Sequence, residues 1–228
     1  MASSSATVLP DLAPASLRTR FKARCVVTNN VHQNWQIRVH RSLSWLMRAI
    51  EFPEDELEGK FIFMWIALNS LYSRWNPELN APDGDSQARC DFLDRICRMD
   101  NLLIGSTLHK HHGLIKRVLG DPYMSQIFWR NPNHPKAKGW ATADVNWLDC
   151  HLKKREHAVI LKQVLDRIFV LRGQIVHGAS TRGSRLNRTA LKYGTQTLHQ
   201  LVPVLLHIVI EQGCGDDWPE LCYPPEPL

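Results

Sequence analysis

No stretch of this chain approaches the roughly 20 uninterrupted apolar residues that a membrane span requires, so an integral membrane helix is excluded. No C-x-x-C pair occurs among Cys25, Cys90, Cys97, Cys150, Cys214 and Cys222, and a 228-residue chain has no need of disulfide staples. Buried, reduced thiols are the expectation. The phosphate-cradling G-x-x-x-x-G-K-[ST], the dinucleotide fingerprint G-x-G-x-x-G and the hydrolase elbow G-x-S-x-G are all missing. Histidine is plentiful at 11 residues, yet no H-E-x-x-H is present and His109, His111, His112, His151 and His157 form no spaced pair of pairs. No metal site and no cofactor is expected. The first sixteen residues lack the basic and apolar segments of a secretion signal and read as a disordered lead before a cytoplasmic protein.

What the chain does have is positive charge, unevenly spread. Lys and Arg number 28 against 22 Asp and Glu, a formal net charge of +6. Residues 1–50 carry Arg18, Arg20, Lys22, Arg24, Arg38, Arg41 and Arg48 against Asp11 alone. Residues 181–200 carry Arg182, Arg185, Arg188 and Lys192 with no acid. Two basic segments point to an anionic partner such as nucleic acid, with solvated helix faces as the alternative.

Helical periodicity dominates and strand signals are scarce. Trp35, Val39, Leu43, Leu46 and Ile50 recur at helical spacing, with Arg38, Arg41, Trp45 and Arg48 on the opposite side. A helix over about 56–75 is apolar all round, which predicts a place in the middle of a bundle; Asn69 lies inside it. A short helix follows over 86–104. Between 105 and 150 glycines and prolines break the pattern into short pieces, with Trp129, Trp140 and Trp147 expected to dock them on the core. Long helices resume over about 152–177 and 187–212, separated by a Gly/Ser/Arg turn, and Pro203 should kink the second. The fold class is all-α: a bundle of four long helices within 17–213, an insertion at about 76–150, and an extended tail over 214–228.

The segment LRGQIVHGAS (171–180) places Arg172 in a row with Ala158, Leu161, Leu165, Ile168 and Ile175, and His177 in the last turn before Gly178. An arginine in an apolar row needs a partner or an anion. A histidine at a helix C-terminus keeps a titration near neutrality.

Four blocks in order, RVHRSLSWLMRAIE (38–51), FIFMWIALNSLYSRW (61–75), LRGQIVHGAS (171–180) and LNRTALKYGTQTLHQLVPVLL (186–206), resemble the Apea-like group of HEPN domains. The resemblance implies an HEPN-like helical bundle that forms a homodimer. It also implies a metal-independent endoribonuclease, a toxin or antiviral-defence effector with an antitoxin or defence partner protein. The R-x(4–6)-H motif of that superfamily falls on Arg172 and His177. Gly173 stands where a polar residue is common, and Ala179 where one subgroup has tyrosine. Such an enzyme would cut RNA to 2′,3′-cyclic phosphate and 5′-hydroxyl ends, with Arg38, Arg41, Arg48, Asn69, Arg182, Arg185 and Arg188 as RNA-binding residues. The alternative is an HEPN module that dimerises and binds RNA or a nucleotide without cutting.

Overall fold

The computed structural model describes residues 10–27, 32–142, 146–179, 181–185 and 187–223. In chain order it contains α1 (Pro14–Val27), α2 (Gln33–Glu51), α3 (Leu57–Tyr72), the two-residue strands β1 (Trp75–Asn76) and β2 (Ala81–Pro82), α4 (Asp85–Met99), α5 (Asn101–Lys110) and α6 (His112–Gly120). A 3-10 turn (Pro122–Met124) leads to α7 (Gln126–Arg130), α8 (Ala137–Ala141), α9 (Trp147–Lys153), α10 (His157–Val176) and α11 (Arg188–Gln212). The fold is all-α, and the insertion is a run of short helices.

The periodic rows bury as their spacing implies. Trp35, Val39, Leu43 and Leu46 of α2 lie under α3 and α11, while Ile50 at the end of the row is 46% exposed. Phe61, Met64, Leu68 and Leu71 of α3 and Leu161, Leu165 and Ile168 of α10 complete the same core.

α3 takes the middle place that its composition implies: none of its residues is exposed, although Ile62, Phe63 and Ile66 are only half-buried. α11 shares that place over Leu201 through Ile210, which are buried without interruption. Pro203 lies inside α11 and is buried. The presumed lead is helical from Pro14, where Leu17 and Phe21 pack α1 onto the core; residues 1–9 lie outside the described residues. Trp129 and Trp140 do not dock the insertion, being 44% and 49% exposed. That task falls to Leu103, Ile104, Leu108, Ile115, Val118, Leu119 and Met124, with Trp147 alone of the three tryptophans packed against the core. The six cysteines are free, but the expected burial is corrected: Cys25, Cys90, Cys97, Cys214 and Cys222 are half-buried and Cys150 is exposed.

The tail is extended but anchored. Trp218 is buried, its indole N–H donates to the Gly213 carbonyl at 2.7 Å, and Leu221 bridges to Arg74. Residues 224–228 of the tail lie outside the described residues.

Candidate functional site

α10 outlasts the core that it helps to build. Leu171 is its last buried residue; from Arg172 onward every described position is half-buried or exposed. The inward place expected for Arg172 is therefore corrected to a half-buried one. The buried arginine of this helix is Arg167, at 5% exposure, whose fork donates to the carbonyls of Asp121 at 3.2 Å and Ala141 at 2.6 Å. Sequence spacing does not separate the two, because both border the apolar row. What separates them is where the bundle ends.

The helix closes with a Schellman motif. The Gly178 N–H donates to the Ile175 carbonyl at 3.1 Å and the Ala179 N–H to the Gln174 carbonyl at 2.8 Å. Gly178 takes φ +69°, the left-handed conformation that glycine adopts without a Cβ penalty. His177 is thus the C-cap residue, exposed, its ring beside the negative end of the helix dipole. Gln174, missed in the sequence, ties this turn down: its amide donates to the Tyr123 carbonyl at 2.7 Å and accepts from Asn187 Nδ2 at 2.6 Å. Its neighbours come from two other segments, so no local pattern announces it.

Among the described residues the Arg172 side chain makes no hydrogen bond and no ion pair. Five positions separate it from His177, which places the two side chains about 140° apart around the helix and about 7.5 Å apart along it. One chain's pair therefore does not converge on a single atom.

The basic row expected on α2 is not a solvated face. Arg38 is 1% exposed, and its guanidinium donates to the carbonyls of Ser73 at 2.5 Å, Pro219 at 2.8 Å, Glu220 at 3.1 Å and Leu71 at 3.4 Å. Burial first, then Arg95 and Arg41, push it down to about 10, which leaves it charged at neutral pH. Arg38 is a clasp between α3 and the tail, out of reach of a phosphate. Arg41 extends that clasp to the carbonyls of Cys222 and Tyr223, at 3.1 and 2.8 Å. Arg48 is exposed, paired with Glu51 at 2.6 Å and set over the Phe52 ring. Arg182 meets Glu56 at 2.8 Å, and Arg188 meets Glu58 at 3.0 Å. Arg185 is exposed and makes no ion pair among the described residues. Asn69 is half-buried on α3.

Three of the histidines in and beside the insertion each meet a single polar partner. His112 meets Asp149 at 2.7 Å, His151 meets Glu156 at 2.5 Å, and His157 Nδ1 donates to the Asn101 side-chain oxygen at 2.7 Å. Among the described residues no group of three His, Cys, Asp or Glu side chains is placed to hold a metal ion, and no helix is long and apolar enough to cross a membrane.

These features define an all-α protein with a capped helix end that carries an exposed histidine and, more than a turn earlier, a half-buried arginine. Comparison with protein-family models, with curated proteins and with solved structures finds no match to this chain.

Proposed function

We propose that this chain is a metal-independent endoribonuclease of HEPN type, acting as a homodimer through Arg172 and His177. One observation carries the reading. The other arginines on the core side are saturated by carbonyls or carboxylates, as Arg38, Arg89 and Arg167 are, whereas the Arg172 side chain has no such partner among the described residues and shares its helix end with an exposed imidazole. RNA cleavage without metal needs those two groups. Histidine moves a proton between the 2′-oxygen, the leaving 5′-oxygen and water, contributing about 10²–10⁴-fold. A guanidinium fork supplies paired donors to the phosphorane oxygens. The toxin or defence role follows from the resemblance of the four sequence blocks.

The divergence of the two side chains within one chain favours a second reading, RNA binding without cleavage, should no second copy complete the site. Purified protein incubated with mixed RNA in EDTA decides between them. The nuclease reading expects cyclic-phosphate ends from the parent chain, loss of cutting by at least 10²-fold in His177→Ala, and a comparable loss in Arg172→Lys, which keeps the charge but not the fork. Retarded RNA with no cutting by the parent selects the binder. Equal cutting by parent and His177→Ala removes the motif from the chemistry.

A further inference from the structure

Between α6 and the start of α11 runs a groove of about 620 Å³, floored by the turn Asp121–Tyr123. Its walls carry three arginines, Arg117, Arg185 and Arg188, and the ring of Tyr193. Arg188 is neutralised from outside the groove, by Glu58 at 3.0 and 3.1 Å. Arg117 and Arg185 have no carboxylate partner among the described residues. Asp121 is the one carboxylate on the wall, and it is engaged below the surface. Its Oδ1 accepts the Tyr123 N–H at 2.9 Å, and the cation acting on it is the buried Arg167. Two positive charges therefore face the groove without internal compensation.

One of them is held in place. The Arg117 Nη1 donates to the Tyr193 hydroxyl, and the guanidinium carbon sits 5.1 Å from the centre of that ring. A planar fork fixed through one nitrogen still offers its remaining N–H groups to a ligand. A tethered fork beside a second, exposed arginine is the donor set that suits the non-bridging oxygens of a phosphate.

The groove is connected to the motif helix. Tyr123 and Asn187 line it, and both are hydrogen-bonded to Gln174 of α10. His177 lies three residues beyond Gln174 and so on the same side of the helix. Arg172, two residues before Gln174, points to the far side, about 160° away. A phosphate held in the groove is thus on the side of His177, not of Arg172.

We propose that this groove binds a phosphate group of a nucleotide, in a substrate strand or free, through Arg117 and Arg185. The assignment rests on the RNA-directed reading above and adds a subsite that the insertion supplies to it. Binding is measured on the full chain with a 2′-O-methyl 12-mer, which cannot be cut through its blocked 2′-oxygen, and in parallel with adenosine 5′-monophosphate and inorganic phosphate. Arg117→Gln and Arg185→Gln are each expected to raise the 12-mer Kd about 5–10-fold. Each should also flatten its salt dependence by about one unit. Both side chains are exposed, so the melting temperatures should match the parent. Weakened 12-mer binding assigns the groove to the strand, and weakened binding of the mononucleotide or phosphate alone assigns it to a free ligand. A double variant that binds all three probes as the parent does, or a parent that binds none, overturns the proposal. Failure of the nuclease reading is seen separately: His177→Ala still cuts while the groove variants bind poorly. The converse, cutting lost in His177→Ala with the double variant binding normally, leaves the nuclease standing and removes the groove.

Discussion

At the scale of the residue, an arginine's role in this chain is decided by what its fork can reach. Arg38 reaches four carbonyls on two segments that are far apart in sequence, α3 with its following turn and the tail. Replacing it by alanine strands those acceptors in a buried place, which costs about 3–5 kcal/mol. For a chain of this length that corresponds to a fall in melting temperature of about 10 °C or more. Arg38→Ala is therefore expected to melt early in calorimetry, yet to bind the 2′-O-methyl 12-mer as the parent does at temperatures where it is folded. Weaker binding by the folded variant, with an unchanged melting point, would return Arg38 to the list of RNA contacts. Arg89 follows the same logic, buried at 2% exposure between Asp85 and Asp166.

At the scale of the element, α10 and α11 each bury one histidine. His157 is 5% exposed and donates to Asn101; His207 is 8% exposed, with its Nδ1 unpartnered. Burial lowers both below the ordinary histidine value of 6.5. For His157 the hydrogen bond with Asn101 opposes this while the nearby His109 and Arg155 add to it; for His207 Glu211 and Asp100 oppose it while Arg20 adds to it. An unfolded chain binds a proton at about pH 6.5 that these buried rings refuse, so stability is full above that value and falls as the pH drops toward each lowered native value. The carboxylates held below their usual range, among them Glu58, Asp83 and Glu211, start from 4.5 or less and act at lower pH. The melting temperature should therefore decline between pH 7.5 and 5.5, and His207→Gln should flatten that decline. An unchanged slope in both His207→Gln and His157→Gln would assign it to exposed groups. These helices were legible in the sequence because their apolar rows are long. α1 was not, since Leu17 and Phe21 are its only buried residues and two positions make no stripe. The tryptophans misled for a different reason: bulk suggests burial, but Trp129 finds its partner in the Tyr123 carbonyl and Trp140 stacks on His134, both at the surface. The cap at His177–Gly178 was readable from two adjacent letters. The carbonyl partners of Arg38 lie about 35 and 180 positions away, beyond any local pattern.

At the scale of the whole molecule, the nuclease proposed above raises the question of how a helix end that spreads Arg172 and His177 apart could act on one phosphate. Within a chain, Arg172 and His177 diverge by about 140°. A two-fold axis beside α10 would bring two such turns face to face, so that the arginine of one copy and the histidine of the other share a cleft. The apolar side chain that such an axis would cover is Val176, 52% exposed beside Ile175, which is half-buried against the core. Light scattering at micromolar concentration is expected to give twice the 26.2 kDa chain mass. Cleavage per chain should then be constant at high concentration and fall on dilution below the dimer dissociation constant, because a single copy holds only half of the constellation. Val176→Glu, a charge placed in that surface at a motif position that supplies neither of the two functional side chains, should lower the mass to that of one chain and lower cutting by at least 10-fold while leaving the melting of the core helices in place. A monomeric mass with undiminished specific activity on dilution would sink the composite site, and one chain's Arg172 and His177 would then have to act on different parts of the strand.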